Sequence, residues 1–390
     1  MKDDNVVSSF ILHPSSFILY PLSFMKIALV HDWLNQLGGA EDVLETLHNM
    51  FPAAPVFTSI YDRARMPAAW QNWDIRGSWM DKLPAVYRKH QPYMPMFAAT
   101  WANYQIPSEY DVIISNKSAF CIGTTSANPN ARHICYCLTP TRFIYDFDSY
   151  AARERIPTLA KPILWLMNAV LRQWERRAAQ RVTTFVAISR EIQARIKTYY
   201  NRDSVVIYPP VDTRKFNQTI DPPVNPSAVA PFFIASRLLP YKRIDLAIET
   251  LGLLGLPLLI AGAGRDRERL DRLAAPFPHI KLLGRVSDQA LSQLLNQCRA
   301  FIFPGLEDFG IAPIQAMACG KPVIAFAGGG ALDTVIDGKT GILFQQQTRE
   351  SLQKALHNFS EVRFAPVEIR AHAEKFSIAH FAQEMVKLIG

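Results

Sequence analysis

FIFPGLEDFGIAPIQAMACGKPVIAFAGGGALDTVIDGKTGILF, residues Phe301–Phe344, alternates short apolar runs with glycine-bearing turns. An apolar run of strand length ends at Phe303. Glu307 and Asp308 follow, then Gly310, then a helix-like run from about Ala312 to Ala318 that stops at Gly320. A glycine-containing turn that feeds a helix presents free backbone N–H groups and the positive end of the helix dipole. Phe309, Gly310 and Ile311 form that turn, and it suits a diphosphate. Glu307 stands just before the seat, where a sugar carried on the diphosphate would lie. Gln315 falls inside the helix, and its amide can bond hydroxyls such as those of a ribose.

The same grammar runs through the rest of the chain. Upstream, Lys26–His31, Pro55–Tyr61, Tyr110–Ser115, His133–Leu138, Thr184–Ser189 and Ser204–Tyr208 read as strands. Helical stretches lie between them, including Ala40–Met50, Arg190–Tyr200 and a long candidate, Ala152–Arg181, broken at Pro157 and Pro162. The proline-rich DPPVNPSAVAP, Asp221–Pro231, is the strongest linker signal. After it the alternation restarts, with strands at Phe232–Ser236, Leu258–Ala261, Lys281–Leu283, Ala300–Phe303 and Pro322–Ala325, and helices at Arg243–Leu251 and Arg267–Leu273. Buried strands alternating with helices predict parallel α/β sheets. The reading is therefore two doubly wound domains, 25–215 and 216–375, and a final helix over 376–390 that can cross back to the first. In such sheets ligands sit at the carboxyl ends of the strands.

Two cations follow the first strand of the second domain, Arg237 and Lys242 in SRLLPYKRIDLAIE. An arginine fork and a lysine point charge at a strand end fit neutralisation of two phosphates. Arg243 and Lys321 read as structural or exposed. Gly38 and Gly39 follow the first strand of the chain, where a backbone without Cβ atoms can approach a ligand closely. Gly262 and Gly264 resemble part of a dinucleotide fingerprint, but the third glycine is missing, which argues against a nicotinamide site. His31, His133 and His279 are isolated, and DFD at Asp146–Asp148 is the nearest approach to a metal pattern.

Composition bounds the answer. Apolar residues at 49% and charged residues at 19% predict a folded core. The net charge of +8 suits phosphates or anionic surfaces, but the clustered basic runs of a nucleic-acid-binding module are absent from the sequence. The five cysteines form no C-x-x-C pair and read as reduced and buried, which points to the cytoplasm. Residues 1–24 hold a repeat, SSFILHP then SSFILYP, with a proline in each copy. It suits neither a helix nor a signal peptide. MKIALVHDW at Met25 reads as the natural start, making 1–24 a non-native or disordered extension. Aromatic and basic residues cluster in Arg65–Ile106, with Trp70, Trp73, Trp79, Tyr87, Tyr93, Trp101 and Tyr104 among Arg76, Lys82, Arg88 and Lys89, and again in Ala152–Arg181. Such stretches suit either a bilayer interface or a core.

Glu307-x7-Gln315 in EDFGIAPIQAMACGKPV resembles the E-x7-E motif of glycosyltransferase family 4. The likeness takes in GGALDTVIDGKTGILF, the Arg237/Lys242 pair, VIYPPVDTRKF and the GGAE loop, and runs from Met25 to the C-terminus. HDWLNQLGGAE and TPTRFIYD are similar to the O-antigen mannosyltransferase branch. The resemblance implies a GT-B fold, two Rossmann-like domains facing across a cleft. It implies retention of anomeric configuration, no catalytic metal and no cofactor. The donor would be a nucleotide-diphosphate sugar, GDP-mannose by branch, and the acceptor a saccharide or lipid-linked saccharide, with an anionic membrane surface as a further contact. Arg237 and Lys242 would bind the donor diphosphate, Glu307 the transferred sugar and Gln315 the ribose. Gly39 would face the diphosphate from the first domain, and Val286 would lie near the base. Gln315 stands where the family has a second acid, which implies a weaker grip on the ribose or an altered pose. Leu138 stands where many relatives have a histidine. A nucleotide-sugar epimerase on the same architecture, or a non-catalytic nucleotide-binding homologue, are the competing readings; the epimerase lacks a matching set of acidic and histidine groups.

Overall fold

The computed structural model describes residues 25–88, 93–147, 161–216 and 230–390. The repeat within 1–24, most of the proline-rich linker, Pro157, Lys89 and Asp148 lie outside the described residues.

The first domain is built on a parallel sheet of β1 (Ile27–His31), β2 (Val56–Thr58), β3 (Ile75–Arg76), β5 (Val112–Lys117), β7 (Arg132–Cys137), β8 (Thr184–Ala187) and β9 (Ser204–Val206). A short side ribbon pairs β4 (Gln105–Ile106) with β6 (Thr125–Ser126). The main sheet runs β3-β2-β1-β5-β7-β8-β9. Every residue of β1 and β5 is buried, as expected of central strands covered by helices on both faces.

The second domain repeats the plan with β10 (Phe232–Ala235), β11 (Leu258–Ala261), β12 (Ile280–Gly284), β13 (Phe301–Phe303), β14 (Val323–Phe326) and β15 (Gly341–Phe344). Its order is β12-β11-β10-β13-β14-β15, again parallel. In each sheet the chain starts in the middle, winds outward to one edge, then returns to the other side of its first strand. The switch points fall between β1 and β5 and between β10 and β13. Open sheets of this kind leave a ligand crevice there, at the carboxyl ends of the strands.

Local signals explain the helices. Ser189 caps Arg190–Tyr200 by accepting from the Ile192 N–H at 3.2 Å, and Asn201 ends it in a left-handed turn. The helix Lys161–Arg181 runs through Pro162 without a break. Trp70 and Trp101 are core residues, and Trp73 stacks on Trp70 with centroids 4.3 Å apart. Much of the aromatic stretch around them is therefore packing rather than a membrane-facing surface. All five cysteines are buried and unbridged.

The last helix, Ile378–Ile389, packs on the first domain. Arg132 donates to the carbonyls of Ile389 (2.7 Å) and Leu388 (3.1 Å), and Phe381 meets Tyr136 edge to face. The chain thus crosses between the domains twice, and Val211 and Ile378 bond where the crossings meet.

Candidate functional site

The second domain's switch point carries the charged residues singled out from the sequence. β10 ends at Ala235, and Arg237 follows it, exposed at the strand end. Lys242 lies in the one-turn helix Pro240–Lys242 and is almost buried. β13 ends at Phe303, and its loop brings Glu307 onto Lys242: the ammonium contacts Glu307 Oε1 directly. Among the described residues no carboxylate pairs with Arg237.

The loop has a specific backing. The Gly330 N–H donates to the Glu307 carbonyl at 2.9 Å. Gly329 has φ +56°, and a Cβ there would stand 2.1 Å from the same carbonyl. Only glycine lets the 328–330 turn wrap so closely around the acidic loop. Behind it, Gly310 leads into the helix Ile311–Ala318, whose first turn has no side-chain cap. Its leading N–H groups are thus left for another partner. Gln315 is half-buried on this helix.

The first domain closes on this point. A Cβ on Gly39 would lie 3.0 Å from Ile311 Cδ1, so a bare glycine lets the first loop reach the head of the second domain's helix. Gly38 precedes it in extended backbone and accepts from the Glu41 and Asp42 N–H groups at 3.0 Å each. Val286 stands in the loop after β12, half-buried at the same sheet end. Phe309 differs in kind: its buried ring stacks on Tyr208 at 5.9 Å and contacts Phe376. Its side chain is interdomain core, and only its backbone is left to face a ligand. Arg243 takes a left-handed conformation and contacts Asp245 at 3.5 Å, a structural placement. Burial pushes the Lys321 ammonium below the usual lysine range.

Sequence reading missed the groups that bridge the domains. Asp308 meets Arg142 (2.5 Å) and Arg195 (2.9 Å) of the first domain. Asp333 accepts from the Arg190 backbone N–H (2.9 Å) and the Tyr208 hydroxyl (3.2 Å). The available signals were Arg142 inside TPTRF and Asp308 next to Glu307. Beneath Arg142 lies a buried ion pair, Lys117 and Glu175 at 2.8 Å, with Tyr200 and Thr141 bonded to the same carboxylate oxygen. Burial opposes the Lys117 charge, but Glu175 outweighs it and holds the ammonium above its ordinary pKa. Among the described residues no group of three or more His, Cys, Asp or Glu side chains is arranged to hold a metal ion.

Comparison with known proteins gives a consistent picture. The model "Glycosyltransferase Family 4" matches residues 37–215, and "Glycosyl transferases group 1" matches 221–376. The alpha-1,3/1,6-mannosyltransferase ALG2 of Dictyostelium discoideum is 23% identical over 343 residues, covering 75% of this chain and 78% of that protein. A GDP-mannose-dependent monoacylated alpha-(1-6)-phosphatidylinositol monomannoside mannosyltransferase of Corynebacterium glutamicum is 33% identical over 135 residues, 31% of this chain and 35% of that one. Among solved structures, HepE of Anabaena in complex with UDP superposes with a TM-score of 0.67 at 17% identity, covering 94% of this chain and 99% of that one.

Proposed function

This chain is a hexosyltransferase of the glycosyltransferase family 4 type with a GT-B fold, and we propose that it moves a mannosyl group from GDP-mannose to a saccharide or lipid-linked acceptor, with retention, in cell-surface polysaccharide synthesis. The observation that carries this reading is the contact of Lys242 with Glu307 at the second domain's switch point, beside Arg237, which no described carboxylate pairs, and a helix whose first turn has no side-chain cap. The mannosyltransferases among its relatives favour the sugar, and the GDP-mannose dependence named for one of them favours the nucleotide.

In this reading Lys242 and Glu307 hold each other's place until the donor arrives. A diphosphate settling over the Phe309–Ile311 amides draws the Lys242 ammonium to a phosphate oxygen. Glu307, released, turns to the hydroxyls of the transferred hexose. Gln315 reaches the ribose, and Val286 packs near the base. When the bond between the anomeric carbon and the diphosphate oxygen breaks, the electron pair passes to the diphosphate. Arg237, Lys242 and the helix amides offset that charge, and groups of this kind contribute roughly 3–4 kcal/mol each to such a step. The acceptor oxygen forms the new bond on the face the diphosphate leaves, and its proton passes to the departing phosphate. Gly39, against Ile311, lets the first domain cover the site, so that acceptor and donor meet in fixed geometry.

A membrane-bound acceptor fits one surface. Trp165, Leu166 and Val170 are each more than 60% exposed on the helix Lys161–Arg181. Helical spacing continues their face into exposed Arg176 and Arg177, an apolar strip followed by a cationic one. We infer contact with the anionic cytoplasmic leaflet along this face. No helix among the described residues is long and apolar enough to cross a membrane. Co-sedimentation with anionic liposomes at low salt should retain the protein; failure to bind them would remove the membrane reading.

The catalytic reading is tested by offering GDP-mannose, UDP-glucose and ADP-glucose with saccharide acceptors and assigning the product's anomeric configuration by NMR. Consumption of GDP-mannose with retention is expected. Inversion, or consumption of no nucleotide sugar, would refute it.

A further inference from the structure

Asp308 is not accounted for by the phosphate seat or by the sugar. Its side chain is only 12% exposed, and its two oxygens point into the first domain. Arg142 Nη2 lies 2.5 Å from Oδ2, and Arg195 Nη1 lies 2.9 Å from Oδ1. Each oxygen receives its own guanidinium, a strong charge-assisted arrangement.

Neither arginine is a loose surface group. Glu191 holds Arg195 Nε at 2.9 Å. Arg142 opens the turn Arg142–Tyr145, and the long helix pins that turn at successive points. Asn168 donates to the Phe143 carbonyl (2.9 Å), Arg172 donates to the Ile144 carbonyl (2.8 Å), and Thr141 Oγ1 lies 2.6 Å from Glu175 Oε1. Tyr145 stacks on Tyr199 at 4.2 Å, which ties the Arg142 turn to the helix that carries Arg195. The two guanidinium groups therefore stand on one rigid floor, with the buried Lys117–Glu175 pair beneath it.

On the opposite wall, Asp308 shares its loop with Glu307. The two are adjacent, and the Glu307 carbonyl is fixed by the Gly330 N–H. We propose that Asp308 is a positioning residue: clasped by Arg142 and Arg195 as the domains close, it sets the orientation of Glu307 and makes transfer depend on closure. The inference rests on the reading of Glu307 as the residue at the transferred sugar.

The test uses the full chain with Asp308→Asn and Asp308→Glu. Three quantities are measured: kcat at saturating donor, GDP affinity by calorimetry, and the distance between spin labels at Glu109→Cys and Glu268→Cys. Both label sites are exposed and on different domains, and the native cysteines are buried. Asp308→Asn should lower kcat about 10²-fold, the usual cost of misplacing a reacting group by about 1 Å. GDP affinity should stay unchanged, and the label distance should lengthen or broaden without any donor. Asp308→Glu, which keeps the charge, should restore the short distance and much of kcat. If Asp308→Asn does not fold, Arg195→Gln removes one arm of the clasp and should lower kcat in the same direction. An unchanged kcat, a parallel loss of GDP affinity, or an unchanged label distance would overturn the proposal. The distance needs no substrate, so it reads the clasp even if the wild-type chain transfers nothing, a result that would sink the functional reading alone.

Discussion

On the first domain's wall of the cleft, Asp32 is wholly buried and its carboxylate is filled by the protein itself. Oδ2 accepts from the N–H groups of Ser118 and Ala119 at 2.6 Å each, and Oδ1 from those of Phe120 (2.6 Å) and Cys121 (2.7 Å). Lys117, next along the chain, is saturated by Glu175, Tyr200 and the Thr139 carbonyl. On the second domain's wall, Arg237 is exposed and Glu307 is partly exposed with the Lys242 ammonium against its carboxylate. The first wall's charges are spent on fixing turns at the ends of β1, β5 and β7. In the proposed reading, the second wall's charges change partners when an anion arrives. A frame and an exchangeable site need opposite arrangements of the same residue types, because a buried charge is tolerated only when its partners are fixed.

The largest effect is expected at Glu175. Glu175→Gln leaves the buried Lys117 ammonium without its counter-charge and should cost about 3–5 kcal/mol of stability by urea denaturation. Wild-type stability in that variant would mean the pair is no part of the frame. Lys242→Ala should do the reverse. It should lower kcat/KM about 10²–10³-fold, or roughly 3–4 kcal/mol, and leave the melting temperature near that of the wild type.

His133 sharpens the frame side through pH. Burial, reinforced by Arg181, holds its pKa down at about 4, and its ring lies 2.8 Å from the Ser115 hydroxyl. The unfolded chain takes up that proton near the ordinary pKa of about 6.5. The contribution of neutral His133 is therefore complete above about pH 6.5 and is lost as pH falls toward 4. It amounts to something on the order of 3 kcal/mol. His133→Gln should flatten the loss of stability between pH 7.5 and 4.5, and an equally steep loss in that variant would exclude His133 as its source. The smallest effect is expected at Gln315. Gln315→Glu supplies a charge-assisted bond to a ribose hydroxyl and should tighten donor binding by about 1 kcal/mol, read as a lower KM for the donor.

What was legible in the sequence follows from the same physics. Parallel strands covered on both faces read as apolar runs, so Lys26–His31 and Tyr110–Ser115 announced β1 and β5. The acidic loop, its glycine and the helix after it are consecutive, and the run Phe301–Ala318 could be read without tertiary knowledge. β3, two residues at the sheet edge, has no run to recognise. The clasp joins Asp308 to Arg142, 166 residues away, and nothing local to either predicts the pairing. Trp70 and Trp165 look alike in composition, yet one is core and the other exposed, because facing depends on what packs above the element.

In the proposed reading the second domain's cations, Arg237 and Lys242, seat the donor diphosphate. Titration calorimetry of GDP against the wild-type chain and the Arg237→Ala/Lys242→Ala double variant tests it most directly. Binding to the wild type and none detectable in the variant is expected, with both proteins melting alike. Equal GDP affinity in the two would contradict it.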